Sequence, residues 1–127
     1  MNTDKLRCEH DELTEQVIGC VYAVANELAV GFVEKVYENA LIHELRKHGL
    51  QAEQQINLNV YYDDLLVGEF FVDILVSRIL ILELKAVKQF DDVHMAQCLN
   101  YLKASGLRTC LLINFGTPRV EIKRISR

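Results

Sequence analysis

FFVDILVSRILILELK, residues Phe70 to Lys85, is the stretch whose reading decides the fold. Two apolar runs meet at Ser77-Arg78, and Asp73, Glu83 and Lys85 interrupt them. β-Branched and large aliphatic side chains occupy both parities, the pattern of strands covered on both faces. A carboxylate in such a strand costs several kcal/mol or so unless it is paired or bound to a cation. Glu83 and Lys85 are two residues apart and project from one face. In an antiparallel hairpin, paired indices have a constant sum. Asp73 faces Glu83 only when that sum is 156, which pairs Val76 with Leu80 and leaves Ser77-Arg78-Ile79 as the loop. A two-residue loop at Ser77-Arg78 would put Asp73 opposite Leu82, on the wrong face. No Gly or Asn sits there to demand a type I′ turn. The expectation is therefore a three-residue loop or a bulge, with two carboxylates and a lysine converging on one spot.

That convergence suits a hard divalent cation, Mg²⁺ or Mn²⁺, which binds through one or two carboxylates, substrate phosphates and water. A neighbouring lysine can orient or help deprotonate a water and offset charge on a phosphate. The bland alternative is a salt-bridged trio on a sheet face, since a D followed by ExK recurs by chance.

At 127 residues the chain reads as a single domain, 1–127, long enough for a real core. Half of it is hydrophobic and a quarter charged, ordinary for a globular protein. No linker or internal repeat is visible, and residues 1–10 are expected to be a flexible N-terminus. No apolar run is long enough to span a bilayer, and MNTDKLRCEHDE is too polar for a signal peptide. Cys8, Cys20, Cys98 and Cys110 lack CxxC spacing. They read as free, mostly buried thiols in a reducing cytoplasm rather than a zinc site. A net charge of −4 weighs against tight nonspecific binding to nucleic acid, which depends on Lys and Arg. The basic residues Arg119, Lys123, Arg124 and Arg127 gather near the end, as a solvated face or a contact for a phosphate backbone.

Outward from the central pair, apolar spacing predicts a helix over about Asp11–Val30, closed by Gly31, and a second over about Val33–His48, closed by Gly49. Gln51–Tyr62 alternates as a strand with one wetter face. Asp63-Asp64 makes a turn, and Gly68 marks a bulge in the Leu65–Val76 strand. A third helix spans about Asp91–Ser105, with Asp91 or Asp92 as N-cap and Val93 or Met95, Ala96, Leu99 and Leu102 as its packing stripe. Thr109–Phe115 and Val120–Ile125 are strands, the first expected to pair in parallel across the helix. The order is ααβββαβ(β).

Two further groups stand out. Gly31, Glu34 and Tyr37 form GxxExxY, where Glu34 can equally be a first-turn acid favoured by the helix dipole and Tyr37 a packed aromatic. His94, Gln97 and Tyr101 share one face of the third helix, apart from its packing stripe. They can line a polar cleft or form a solvated face. Lys88 reads as solvated.

GFVEKVYENAL, FVDILVSRILILELKAV, HMAQCLNYLKASG, LLINFG and the closing IKRI together resemble the GxxExxY family of the PD-(D/E)XK nuclease-like superfamily. The blocks come in the family's order and extend from Gly19 to Ile125. The resemblance implies an α/β, mixed-sheet, restriction-endonuclease-like αβββαβ core with an extra N-terminal helix and a short C-terminal strand. It implies that Asp73 and Glu83 hold a metal with Glu34 near them, and that Lys85 acts on the water. Gln97 and Tyr101 match a QxxxY signature that helps hold the lysine or the DNA. Val72 stands where the proline of "PD" would be, a departure common in the superfamily. The expected function is a Mg²⁺-dependent cytoplasmic nuclease cutting phosphodiester bonds of nucleic acid, DNA before RNA, with a homodimer as the assembly. The alternative is an inactive module on the same fold that binds nucleic acid or a protein. A third reading makes Asp73, Glu83 and Lys85 a purely structural charge cluster.

Overall fold

The computed structural model describes the backbone of residues 3–127 and the side chains from His10 onward. Met1, Asn2 and the side chain of Cys8 lie outside the described residues, so the expected flexible N-terminus is covered only in its later backbone. Two helices come first, α1 (Thr3–Leu28) and α2 (Glu34–Lys47). Three antiparallel strands follow: β1 (Ala52–Tyr62), β2 (Leu65–Val76) and β3 (Leu80–Lys85). Helix α3 (Asp92–Ser105) then crosses to β4 (Thr109–Asn114), and β5 (Glu121–Ser126) closes the chain. The strands form one sheet in the order β1-β2-β3-β4-β5, with β3 and β4 parallel and every other neighbouring pair antiparallel. This is the mixed α/β, restriction-endonuclease-like arrangement that the sequence implied.

The helices divide between the two faces. Leu13, Val17, Val21, Tyr37, Leu41 and Leu45 of α1 and α2 pack on Ile74, Leu80, Leu82, Leu84, Leu111 and Ile113. Cys98, Tyr101 and Leu102 of α3 pack on the opposite face, against Leu75, Ile81, Cys110 and Leu112. The central strands β3 and β4 are therefore buried on both sides, as expected for covered strands with no solvent face. Phe70 and Phe71 depart from that reading, since both are exposed. Only Ile74–Val76 of β2 pair with β3, so the earlier half of β2 has β1 as its sole strand neighbour.

The decisive register is the expected one. Val76 pairs with Leu80, Leu75 with Ile81 and Ile74 with Leu82, which makes Asp73 and Glu83 the next facing pair. The loop has the expected three residues, Ser77-Arg78-Ile79, and its backbone takes a form that the residue types did not call for. Ser77 and Arg78 both adopt left-handed backbone (φ 52° and 61°), and the Ile79 N–H donates to Val76 O at 3.1 Å. The type I′ form thus occurs without Gly or Asn, and Ile79 follows as the extra residue. Tertiary contacts hold it: the Ser77 N–H donates to Gln51 O at 2.7 Å, and Arg78 reaches Glu53 at 3.5 Å.

Other ends also shifted. Helix α1 starts at Thr3, earlier than Asp11, and stops at Leu28, where Ala29 takes the left-handed position after the helix (φ 57°) and Gly31 (φ 118°) follows two residues on. The Tyr37 hydroxyl secures that ending: it donates to Ala29 O at 2.6 Å and accepts from the Phe32 N–H at 3.2 Å. The β-bulge falls at Val67, beside Gly68, where the register shifts between Val60 and Tyr61. Asp91 is the N-cap of α3, and it forms a capping box with His94. The packing stripe of α3 is rotated from the expected one: Val93, Ala96 and Leu99 are exposed, and Cys98, Tyr101 and Leu102 face inward. Apolar residues surround this helix, so their spacing alone does not select a face. The buried carboxylate of Glu83 does, because it takes a hydrogen bond from Tyr101.

Beyond Lys85 the chain is clamped by β4. Buried Asn114 accepts through Oδ1 from the Val87 and Gly116 N–H groups and donates through Nδ2 to Val87 O. The Phe115 N–H donates to Lys85 O at 2.8 Å, and the Phe115 ring stacks on Tyr37 with centroids 4.6 Å apart. A Cβ on Gly116 would sit 2.3 Å from Val87 O, so no larger residue fits without moving backbone. Gly116→Ala is expected to lower stability by roughly 2 kcal/mol or more, from forced backbone displacement. Urea unfolding checks this, and an unchanged midpoint would show that the clamp yields freely.

Candidate active site

Asp73 sits at a kink in β2. Val72 packs with the α3 side of the sheet, and Ile74, two residues on, with the α1–α2 side. Alternation in an undistorted strand would put both on one face. Opposite the kink, Gln55 of β1 has φ 53°, and the Gln55–Asp73 pair is skipped in the ladder. The freed Asp73 carboxylate replaces a strand partner for β3: its Oδ2 accepts the Leu84 N–H at 2.8 Å. Gln55 Nε2 donates to Glu38 Oε1 at 2.9 Å and reaches Asp73 Oδ1 at 3.4 Å, linking helix α2 to the kink.

Glu83 is 4% exposed, yet its Oε1 has no hydrogen-bond partner. Oε2 accepts from the Tyr101 hydroxyl at 3.2 Å and lies 3.9 Å from Lys85 Nζ. Burial, and then the negative charge of Asp73, push the Glu83 carboxyl up to about 9, and Lys85 at 3.9 Å only partly opposes this. Burial and the Glu83 charge also hold the Tyr101 phenol protonated, so it remains a donor.

The residues singled out in the sequence divide between two clefts that flank this pair. One, of about 590 Å³, is lined by Glu34, Glu38, Gln55, Asp73 and Ala86 among others. The other, of about 410 Å³, is lined by Lys85, Gln97, Tyr101 and His94, with Phe70 at its side. Glu34 is exposed at the first position of α2. The buried acid of that helix is Glu38, which accepts from Lys35, Gln54 and Gln55 at 2.9, 2.7 and 2.9 Å. Sequence reasoning set Glu38 on one helical face with Glu34 and Tyr37 but gave it no role, and it passed over Gln55. Glu38 was visible at the same helical spacing that places Ile42 and Leu45 inward, whereas Gln55 carried no signal. His94 is committed to the α3 cap through Nδ1. Three of the four terminal basic residues are also committed: Arg124 to Asp11, Arg127 to Leu102 O, and Lys123 over the Phe90 ring. Lys88 is exposed. Cys20, Cys98 and Cys110 are buried free thiols.

The donor set fits a divalent cation. Two carboxylates face each other, one raised in pKa and holding a bare oxygen, which is the situation a cation between them relieves. Among the described residues no group of three or more His, Cys, Asp or Glu side chains is placed to hold a metal, so water and substrate oxygens would complete the shell.

A profile of the PD-(D/E)XK nuclease superfamily matches residues 11–125. The chain belongs to that superfamily. No curated protein matches it. The crystal structure of SSO0001 is similar in fold, with a TM-score of 0.56 at 17% identity over 98% of this chain and 62% of that one. The present chain thus spans less than two thirds of that protein. A nuclease fold is established by the superfamily, whose members generally use divalent metals and act on nucleic acid. Among the described residues no helix is long and apolar enough to cross a membrane.

The buried charge gives a stability test. With its folded pKa raised, Glu83 contributes stability that is complete below about pH 4.5 and lost as pH climbs toward 9. In EDTA at neutral pH, Glu83→Gln removes the cost of neutralising a buried acid that is ionised in the unfolded chain, and keeps an acceptor for Tyr101. It is expected to gain roughly 1 kcal/mol, or about 3–6 °C in Tm, and the gain should widen from pH 5 to 9. Mg²⁺ or Mn²⁺ should raise the wild-type Tm and leave that of the variant unmoved. A purely structural cluster predicts the reverse sign for Glu83→Gln.

Proposed function

We propose that this protein is a metal-dependent nuclease of the GxxExxY branch that hydrolyses phosphodiester bonds of nucleic acid, DNA in the first instance. The single observation that carries this reading is the buried Glu83 carboxylate, bare at Oε1, opposite Asp73 and beside Lys85. Asp73 and Glu83 would hold Mg²⁺ or Mn²⁺, with Glu34 and Glu38 across the cleft. When bound there, the ion supplies a water of lowered pKa and polarises the phosphate.

The chain's own residues do the remaining work. Lys85 orients the attacking water and stabilises charge developing on the phosphate. Tyr101 fixes Glu83 through its hydroxyl, and Gln97 lines the cleft beside Lys85, where it can steady the lysine or the substrate. The clamp of Asn114 and Phe115 on Lys85 and Val87 sets where β3 ends, and so where Lys85 points. Tyr37 ties the α1–α2 turn, which gives the tyrosine of GxxExxY a positioning part. The buried free thiols support a reducing, cytoplasmic setting.

A second reading, an inactive nuclease-fold module that binds a partner, draws support from the tip of the β1–β2 hairpin. Tyr62, Leu65, Leu66 and Val67 are all exposed there. The unpaired edge of β1 also supports a homodimer, which sedimentation would read.

Cleavage of labelled single- and double-stranded DNA and RNA, with Mg²⁺, Mn²⁺ or EDTA, tests the first reading. Cutting should require metal. Glu83→Ala and Asp73→Ala should lose it by about 10³-fold or more, and Lys85→Met by about 10²-fold or more through kcat. Folded wild-type protein that cuts no substrate would move the function to the binding module.

A further inference from the structure

The two clefts beside Glu83 differ in charge. The one toward α2 carries Glu34, Glu38 and Asp73 against a single lysine, Lys35. The one toward α3 has no carboxylate in its lining and carries Lys85. That second cleft does not stop at Tyr101. Phe70 and Asn100 line it and also line a further hollow of about 480 Å³, which continues to Tyr61 and Lys103. The further hollow has no acid in its lining either. In a chain of net charge −4, these two joined hollows, free of carboxylates in their lining, form a surface that does not repel a polyanion.

Its apolar members have a particular form. Phe70 sets its ring edge-to-face on Tyr101, centroids 5.7 Å apart, and is 38% exposed. Tyr61 is 60% exposed at the other end. Two half-open aromatic rings between two lysines match the pattern by which proteins hold unpaired strands: cations follow the backbone, and rings take the faces of bases. Paired bases in a duplex hide those faces in their own stack. Lys103 makes no ion pair among the described residues and is exposed.

We propose that the groove along α3, from Lys85 past Phe70 and Asn100 to Tyr61 and Lys103, seats a single nucleic-acid strand with bases stacked on Phe70 and Tyr61. This rests on the nuclease reading for the purpose of the site, and it narrows the substrate to single-stranded or locally unpaired nucleic acid. The strand approaches the carboxylate pair from the α3 side, because the acidic α2 side repels its phosphates.

The test is equilibrium binding in EDTA, which needs no cleavage. Fluorescence anisotropy would compare short labelled oligo-dT and oligo-U with a DNA duplex on the full chain. Single strands should bind about tenfold or more tightly than duplex, and Tyr61→Ala should weaken them by about tenfold while Tyr61→Phe retains binding. Lys103→Glu should weaken binding and reduce the salt slope by about one phosphate or more. Duplex binding as tight as single-strand binding overturns the proposal. So does wild-type affinity in both Tyr61→Ala and Lys103→Glu. The expected binding pattern in a protein that cuts nothing would uphold the groove and remove the nuclease reading. Cutting without that pattern would do the opposite.

Discussion

The constraint on which this structure depends is the burial of Glu83 opposite Asp73. A carboxyl in the middle of a covered sheet loses its hydration, and the second acid beside it adds repulsion. An apolar residue there would make a more stable protein. The neighbouring elements are arranged around that cost. β2 kinks so that Asp73 turns to the Leu84 N–H, β1 bends at Gln55 to follow it, and α3 turns Tyr101 rather than Leu99 toward the sheet.

Much of this was legible from the chain because charged residues in apolar strands are informative. Requiring Asp73, Glu83 and Lys85 to meet selected one β2–β3 register out of two, and the pairing of Val76 with Leu80 followed. The parallel β3–β4 pairing followed from a helix lying between two apolar runs. The alternating β1 and the two-helix start were read from periodicity in the same way.

What escaped was settled by tertiary contacts with no local signature. Left-handed backbone at Ala29, Gln55, Ser77 and Arg78 falls on residues that do not favour it, so no glycine advertised it. The phase reversal at Asp73 is invisible to an alternation count, which assumes a straight strand. The packing stripe of α3 was misread because apolar residues surround that helix, whereas His94, Gln97 and Tyr101 do line one cleft, Tyr101 from within the core. On α2 the motif drew attention to Glu34, while helical geometry buries Glu38.

The parallel pairing of β3 with β4 has a kinetic consequence. Lys85 is placed by Asn114 and Phe115, residues that reach it only after α3 has formed and the chain has crossed the sheet. The entropy of closing that loop must be met before any of the six β3–β4 pairs forms, so this is a late event in folding. Until then β3 is a sheet edge, with neither β4 nor α3 in place to bury Glu83. The chemistry of the site is therefore a property of the completed topology. A nascent chain that has emerged only as far as α3 holds every charged residue of the centre without the covered sheet that buries Glu83.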